Sequence, residues 1–379
     1  MSGTGCDVVV AGGGPAGLAT ACEAALRGMR AVVVEQHELP RIKACGEGLL
    51  PPAAEALASL GVRLPDDATS PILGLRYVDS RGVATGRFRR GRGLGASRAV
   101  LSAALRDRAR ELGVEVRTGV RATGVTQSEA AVELATDRGP IRGRWLVGAD
   151  GLRSRVRELA GIASQPGAAR FGTRRHYRVR GAFEPFVEVH WGQGVEAYVT
   201  PVGGAQVGVA FLWWAGIGRS HRGFLGEFPA LAARLGEASD GPRGAGPFCV
   251  RVERRVAGRV LLVGDAAGYL DALTGEGVGL ALAGARAGIE AIRLGRPDLY
   301  EAWWKRATRR HLAWTRALLV LARRPALRSA LMVVARGCPP LLERAVAAAG
   351  SGPGPLRRPR DRFGPWGIMP ADLRWRGGR

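Results

Sequence analysis

A glycine-rich turn near the start of the chain has the residue types and spacing that suit phosphate binding. Gly12-x-Gly14-x-x-Gly17 follows the apolar run at 6–11 and opens an alanine-rich stretch that predicts a helix. The first glycine permits a tight turn, the second lets the backbone approach a pyrophosphate, and the third allows the helix to pack closely on the strand. Free N–H groups at the helix start attract the anion. Glu35 ends the next apolar run, where a carboxylate accepts hydrogen bonds from a ribose 2′-hydroxyl and repels a 2′-phosphate. The pattern predicts a site for the AMP half of FAD or NAD rather than of NADP.

Two later passages bear on which dinucleotide is bound. They are "VGADGLRSRVRELAG" (147–161) and "VLLVGDAAGYLDALTGEGVGLAL" (261–283), and each joins a buried apolar run to a glycine turn. Together with the first motif, they resemble the three ordered signatures of the p-hydroxybenzoate hydroxylase-type FAD-dependent oxidoreductases. The Asp-Gly signature falls on Asp150–Gly151 and the Gly-Asp signature on Gly264–Asp265. The resemblance implies that FAD is the cofactor and that a Rossmann-like (GR2-type) domain binds it.

The same resemblance implies roles for individual residues around FAD. Asp265 would accept hydrogen bonds from the ribityl hydroxyls, and Arg98 would lie near the pyrophosphate. Glycines 275, 277 and 279 would bring a helix N-terminus to the pyrimidine end of the flavin, where it stabilises the negative charge of the reduced ring. The predicted cofactor contacts are Gly12, Gly14, Pro15, Ala16, Gly17, Glu35, Cys45, Gly46, Arg98, Asp150, Gly151, Asp265, Gly275, Gly277 and Val278.

Two further stretches resemble the geranylgeranyl reductase-like branch of that superfamily. "KACGEGL" (43–49) is similar to its Cys-Gly-Gly or Cys-Gly-Glu loop, and "LTGEGVGLAL" is similar to its Leu-Thr-Gly-Glu-Gly motif. "EAYVTPVG" (196–203) lies where the branch carries a Tyr-x-Trp-x-Phe-Pro motif, but it keeps only the tyrosine and the proline. The resemblance makes Cys45 and Tyr198 the candidate catalytic residues. The alternative for Cys45 is a small residue that fills a tight loop.

Two reactions of such an oxidoreductase stay open. The first is reduction or dehydrogenation of a C=C/C–C bond in an apolar isoprenoid- or polyketide-like molecule, and the second is hydroxylation or epoxidation with O2. The "CGEGL" and "LTGEG" features favour the first. Because the chain has one full dinucleotide fingerprint, NAD(P)H would bind only transiently as electron donor. A non-catalytic flavin-binding protein is the alternative from another class.

Composition bears on partners and location. The net charge is +23, but arginine supplies 54 of the 56 basic residues, and they are spread along the chain without interleaved stacking aromatics, so no nucleic-acid partner is predicted. Five cysteines without a CxxC pair predict neither a disulfide framework nor a metal site. We find no signal peptide and no apolar run of membrane-spanning length. The expectation is a cytoplasmic protein with a small apolar substrate and no obligate protein partner.

The C-terminal third adds one alternative. Residues 293–344 contain twelve Lys/Arg against three acidic residues, mixed with "ALLVLA" and "ALMVVA". A basic amphipathic helix pair of this kind could make peripheral contact with an anionic membrane, but the pattern slightly favours the alternative, a helical lid packed on the core with its arginines outward.

The elements that must hold these motifs predict an α/β fold. We expect an FAD-binding domain in two parts, an inserted antiparallel β-sheet domain for the substrate, and a helical C-terminal segment. The expected bounds are 1–167 and 251–299 for the FAD-binding domain, 168–250 for the sheet, 300–350 for the helices and 351–379 for a disordered tail. Helices are predicted near 52–60 and at 98–112, with breaks at Pro325 and Pro339–Pro340 in the C-terminal segment.

Overall fold

The computed structural model describes residues 5–80, 82–167, 169–217 and 219–349, and the predicted tail at 351–379 lies outside the described residues. The helices are α1 (Pro15–Ala25), α2 (Pro51–Ser59), α3 (Arg98–Glu111), α4 (Arg155–Leu159), α5 (His221–Leu225), α6 (Pro229–Arg234), α7 (Gly277–Arg293), α8 (Pro297–Ala322), α9 (Pro325–Gly337) and α10 (Pro339–Ala349), with 3-10 turns at Asp66–Ala68 and Gly264–Ala267. The strands are β1 (Cys6–Ala11), β2 (Ala31–Val34), β3 (Gly48–Leu49), β4 (Thr69–Ile72), β5 (Gly74–Asp79), β6 (Gly82–Arg87), β7 (Gly93–Ala96), β8 (Glu115–Arg117), β9 (Ala122–Gln127), β10 (Val132–Thr136), β11 (Ile141–Gly148), β12 (Ser164–Pro166), β13 (Arg170–Val179), β14 (Phe186–Trp191), β15 (Val195–Gly203), β16 (Gln206–Trp214), β17 (Leu235–Ala238), β18 (Arg243–Ala245), β19 (Val250–Val252), β20 (Val256–Ala257) and β21 (Val260–Leu262).

The first sheet carries all three glycine motifs at one edge. Its main path runs β20-β21-β11-β1-β2-β8, and β10 and β9 extend it from β11. Strands β8, β2, β1, β11 and β21 pair in parallel. Valines 8, 9 and 10 are fully buried, as expected for a parallel strand covered on both faces. The motifs follow β1, β11 and β21, so parallel pairing brings their turns to the same carboxyl edge.

Helices cover this sheet because their residues are small enough to pack closely. α1 buries ten of its eleven residues between the sheet and α7. A β-carbon on Gly17 would lie 1.8 Å from the carbonyl oxygen of Gly12, so only glycine allows α1 to begin this close to the β1 turn. Leu18, Leu105, Leu261 and Ile289 belong to the core that α1, α3 and α7 share with the strands.

The second sheet has the order β17-β13-β16-β15-β14-β5-β6, and β18 also pairs with β13. Its pairings are antiparallel except for β14 with β5. The sheet extends beyond the predicted segment at 168–250, because residues 74–87 supply β5 and β6. Pairing across more than a hundred residues depends on long-range packing that local alternation does not reveal. α5 and α6 cover one face of the sheet around Phe211, Phe224 and Leu231.

The C-terminal helices begin where the sequence predicts breaks, with Pro325 and Pro339 at the first positions of α9 and α10. α8 packs on α7, and α9 and α10 pack against β6. A small sheet of β3, β7 and β4 lies beside β15. The architecture confirms the predicted α/β fold class, with a Rossmann-like domain, an inserted sheet and a helical C-terminal segment.

Candidate cofactor and substrate site

One cavity of about 600 Å³ joins the carboxyl edge of the first sheet to the second sheet. Fourteen of the fifteen predicted cofactor contacts line it, and so does Tyr198. Gly17 lies instead beneath the wall, against the backbone of Gly12. The volume falls within the range of about 300–1,000 Å³ that small-molecule and cofactor sites occupy.

The β1–α1 turn forms one end of the cavity. Gly12 has φ +114°, and a β-carbon there would lie 2.4 Å from the carbonyl oxygen of Ala149. The buried Glu35 carboxylate accepts hydrogen bonds from the backbone N–H groups of Gly13 (2.7 Å) and His37 (3.0 Å). Because each carboxylate oxygen accepts more than one hydrogen bond, Glu35 keeps capacity for a ribose hydroxyl at the cavity wall.

The Asp-Gly motif organises the turn after β11. Ser154 Oγ donates to Asp150 Oδ1 (2.5 Å), and the N–H of Val156 donates to Asp150 Oδ2 (3.0 Å), so Asp150 holds the start of α4 while it lines the cavity. Burial raises the pKa of Asp150, and these hydrogen bonds oppose the rise. The buried Arg157 guanidinium donates to the carbonyl oxygens of Leu152 (3.0 Å) and Ala266 (3.2 Å). Arg157 therefore ties the Asp-Gly turn to the Gly-Asp turn.

The Gly-Asp motif lines the opposite wall and leads into α7. Burial raises the pKa of Asp265, while the charges of Lys43 and Arg98 act in the opposite direction. Gly275 has φ +68°, and Gly277 begins α7. Thr274 Oγ1 is buried at the cavity wall and has no hydrogen-bond partner in the described part of the chain.

These residues fit FAD. The buried Thr274 hydroxyl costs free energy because it lacks a hydrogen-bond partner among the described residues, and a polar group of a bound cofactor would remove that cost. The N-termini of α1 and α7 lie at the cavity wall, the Glu35 carboxylate lies at the end of β2, and Lys43 and Arg98 are among the cations that line the wall. This is the donor and acceptor set that a pyrophosphate, a ribose and a flavin ring require.

The loop that carries Cys45 forms another part of the wall. Cys45 Sγ accepts a hydrogen bond from the N–H of Glu47 (3.4 Å), and Thr200 Oγ1 donates to the carbonyl oxygen of Gly46 (2.8 Å). Cys45 is half-buried and faces the cavity, while cysteines 6, 22 and 249 are buried in the fold. The thiol direction therefore depends on the backbone of Glu47.

Tyr198 belongs to a buried ionic network. Its hydroxyl donates to Glu196 Oε2 (3.1 Å), and the Arg170 guanidinium bridges Glu196 and Asp271 at 3.0 Å each. Burial raises the pKa of Tyr198 well above its ordinary value, so its phenol stays protonated. Burial also raises the pKa of Asp271, to about 6, against the attraction of Arg170. The Tyr198 proton points to Glu196, and the oxygen lone pairs remain for a ligand.

The far end of the cavity is apolar. Aliphatic and aromatic side chains of the second sheet, of β4 and of the segment between β18 and β19 line it, namely Ile72, Leu75, Tyr77, Val187, Val189, Trp191, Leu212 and Phe248. Trp314 and Leu318 of α8 complete this end. An apolar molecule would bury its surface here next to the flavin end of the cofactor site.

Sequence reasoning missed the ion pairs behind the wall. Arg170, Arg174 and His176 alternate along β13, and the two arginines are each 1% exposed. Arginines on one face of a strand ordinarily indicate a solvated face. The residues between the two arginines, Phe171 to Thr173, are small or aromatic and could have indicated a buried strand. Charged side chains on a buried strand must be paired.

Comparisons with known proteins show which family and fold the chain shares. Residues 5–189 match the FAD binding domain family. The chain is 32% identical over 302 residues to digeranylgeranylglycerophospholipid reductase 1 of Methanopyrus kandleri. That alignment covers 73% of this chain and 77% of the relative. The chain is also 35% identical over 167 residues to dialkyldecalin synthase of Streptomyces rugosporus. That alignment covers 41% of this chain and only 34% of the relative's length. A flavoprotein/dehydrogenase from Cytophaga hutchinsonii has the same fold, with a TM-score of 0.78, 19% identity, and coverage of 91% of this chain and 92% of that structure.

The fold and the cavity define an FAD-dependent oxidoreductase, and the chain is an enzyme of that class. It belongs to the p-hydroxybenzoate hydroxylase-type superfamily, in the geranylgeranyl reductase-like branch. Relatives include both reductases and monooxygenases. In the part of the chain that the structure describes, no helix is long and apolar enough to cross a membrane.

Proposed function

We propose that this enzyme reduces or dehydrogenates a C=C/C–C bond in an apolar, isoprenoid- or polyketide-like molecule, with NAD(P)H as a transient electron donor. The observation that carries the proposal is one continuous cavity, whose polar part fits FAD and whose far end has apolar walls from the second sheet, β4 and α8. Bound FAD supplies or accepts hydride, and the chain supplies orientation and electrostatics.

Different side chains at the cavity wall would have different roles in this reaction. The N-terminus of α7 and Thr274, both at the cavity wall, would stabilise negative charge on a reduced flavin ring. Tyr198, whose proton is directed to Glu196, would accept a hydrogen bond or contact the substrate with its ring rather than donate a proton. Cys45 would contact the flavin edge or the substrate from the loop at 44–48.

Turnover with and without oxygen tests the reaction. Purified enzyme should be yellow, and NAD(P)H should support anaerobic conversion of a polyprenyl or polyketide alkene. Product formation that requires O2 would instead support the monooxygenase alternative. A flavin that neither NAD(P)H nor any such alkene changes would support the non-catalytic alternative.

We also propose that the enzyme takes its substrate from an anionic membrane surface. Trp314, at the apolar end of the cavity, is 40% exposed, and Leu327, Leu331 and Val334 are exposed at the i, i+4 and i+7 positions of α9, the next helix along the chain. Exposed arginines on α8 and at its junction with α9 occupy the same stretch of the chain as these apolar groups, so an anionic surface would complement the charge of this region.

Vesicle co-sedimentation tests this contact. The enzyme should bind phosphatidylglycerol vesicles more strongly than phosphatidylcholine vesicles, and Leu331→Glu with Val334→Glu should weaken binding. Leu26→Glu is the matched control because Leu26 is 45% exposed at the end of α1. Equal loss in the control, or no preference for anionic vesicles, would contradict the proposal.

A further inference from the structure

A second buried ionic network holds the loop that carries Cys45. The Glu47 side chain is fully buried, and its backbone has φ +60°, a conformation that a non-glycine residue adopts only where its surroundings hold it. Glu47 Oε1 accepts a hydrogen bond from the N–H of Arg98 (2.9 Å) and lies 3.4 Å from Arg174 Nη2. Glu47 Oε2 lies 2.7 Å from His176 Nε2.

Gly208 makes room for this carboxylate. A β-carbon on Gly208 of β16 would lie 2.5 Å from Glu47 Oε2. The loop is thus anchored on the second sheet twice, by its side chain at β13 and by the Thr200 hydrogen bond to Gly46 at β15. The backbone of Glu47 in turn sets the direction of the Cys45 thiol.

The network extends from Glu47 towards solvent. His176 Nδ1 lies 3.0 Å from Asp240 Oδ2, and the Arg174 guanidinium contacts Asp240 Oδ2 at 2.5 Å. The Asp240 side chain is 25% exposed, so the network runs from the loop to the protein surface. His176 Nδ1 also lies 3.0 Å from Arg174 Nη1, and the same Arg174 nitrogen donates to Asp240 Oδ2. Since a carboxylate oxygen faces each ring nitrogen of His176, only the cationic imidazole donates to both carboxylates. The negative charges of Glu47 and Asp240 then equal the positive charges of Arg174 and His176.

Loss of one proton would leave a buried negative charge. Burial by itself lowers the pKa of His176, but the hydrogen bond and charge of Glu47 raise it, and the net shift is upward. Arg174 opposes the rise and Asp240 supports it. Around this group, Arg175 donates to the Asp240 carbonyl oxygen, Arg243 and Glu237 are exposed on the neighbouring strands, and His221 lies on the opposite face of β13 against Tyr177.

We propose that Glu47 is a positioning residue: protonated His176 anchors its carboxylate and thereby fixes the Cys45–Gly48 loop as a wall of the flavin cavity. Proton binding at His176 and FAD binding then favour each other. The inference rests on the cofactor part of the proposed function and not on the substrate, so its tests contain no substrate. An enzyme that binds FAD but reduces no alkene would overturn the proposed reaction and leave this inference standing.

The wild-type chain gives the first test. With labelled histidine, NMR titration follows five residues, and His176→Gln identifies the relevant resonance. Because coupling between two ligands is reciprocal, the pKa of His176 must be higher in the FAD-bound enzyme than in the FAD-free enzyme. Equal values, or a neutral His176 at pH 7 in the FAD-bound enzyme, would overturn the proposal whether or not any variant folds.

Variants give the second test. Flavin fluorescence should show that Glu47→Gln and His176→Gln each weaken FAD binding by about tenfold, and that the double variant is no weaker than either single variant. Wild-type affinity should fall as pH rises through the His176 pKa, while the affinities of both single variants should stay nearly constant.

His190→Gln is the matched control for these variants. The His190 side chain is 9% exposed against 12% for His176, and His190 pairs with Glu188 at 3.0 Å in the same sheet and does not line the cavity. Wild-type affinity in His176→Gln, or an equal loss in His190→Gln, would refute the positioning role.

A local readout separates loop movement from general damage. In the FAD-free protein, alkylation followed by peptide mass spectrometry compares Cys45 with the exposed Cys338 of the same molecule. The rate ratio of Cys45 to Cys338 should change severalfold in Glu47→Gln and His176→Gln and stay at the wild-type value in His190→Gln. An unchanged ratio in the first two variants would show that the network does not control the loop.

Discussion

Gly17→Ala is the change whose effect the structure defines most directly. The new β-carbon would lie 1.8 Å from the carbonyl oxygen of Gly12 and 3.2 Å from the β-carbon of Ala149. The first distance is about 1.6 Å short of ordinary contact, and the obstructing atom belongs to the backbone, so no side-chain rotation relieves the clash. The start of α1 must move away from the β1 turn.

The expected cost follows from that displacement. Overpacking costs typically about 1–3 kcal/mol, and a backbone obstacle places this site near about 3 kcal/mol. For a large domain, 1 kcal/mol corresponds to roughly 2 °C in Tm, so the FAD-free variant should melt about 6 °C below the wild-type FAD-free protein. Because the moved N–H groups no longer face the pyrophosphate together, flavin occupancy should also fall strongly.

Differential scanning fluorimetry and absorbance of the released flavin measure both effects. Melting the FAD-free proteins separates packing from stabilisation by bound cofactor. Gly337→Ala is the control, because a β-carbon there meets nothing within 4 Å. If Gly17→Ala kept the wild-type Tm and full flavin occupancy, the proposed close contact of α1 with the β1 turn would be refuted.

Four other predictions concern the remaining walls of the site. Asp265→Ala should lose most bound FAD without unfolding, and full flavin occupancy in that variant would contradict its placement beside the cofactor. Thr274→Val should leave the FAD-free Tm unchanged or higher and weaken FAD binding, since the hydroxyl that it removes has no partner in the described chain; unchanged affinity by fluorescence titration would argue against a cofactor contact. Arg170→Met should destabilise the protein by about 3–5 kcal/mol in urea unfolding, because it leaves the carboxylates of Glu196 and Asp271 buried without a cation; a loss below about 1 kcal/mol would mean that the network is not held by charge. The pKa of Asp271 is raised from 3.8 to about 6 in the folded protein, so its contribution to stability is complete below pH 3.8 and is lost as pH rises through about 6; Asp271→Asn should flatten that part of the stability profile, and an identical profile would contradict the assignment.

The sequence predicted the parts of the fold that short patterns encode. The strand–turn–helix at 6–25 follows from a buried apolar run and its glycines, and α3 begins at Arg98 as the amphipathic pattern indicated. The prolines at 325 and 339 begin helices for the same steric reason that makes them end others. These features are local, so local residue types are enough to predict them.

Long-range pairing was less accessible to sequence reasoning. β5 joins β14 in parallel across more than a hundred residues, and no turn connects the two strands. Glu47, Asp240 and Asp271 lie far from β13 in sequence, so their pairing with its charged residues depends on the finished fold. The turn glycines predict a cofactor site, and they line the cavity, but they carry no information about what holds the facing loops.

Those facing loops share one support, and this explains why β13 carries buried charge. Arg170 pairs with Asp271 in the loop before α7, and Arg174 with His176 holds Glu47 in the loop before β3. The arginines are four residues apart on one face of the strand, a separation of about 13 Å. Each has a buried Nε without a hydrogen-bond partner among the described residues, which is an energetic cost. An apolar strand would avoid that cost, but the loop at 44–48 would then be tied to the second sheet only through Thr200 and β15, and the loop at Asp271 would lose its ion pair with Arg170. We infer that the charges on β13 fix the distance between the two loops, and hence the width of the cavity in which the flavin and the substrate meet.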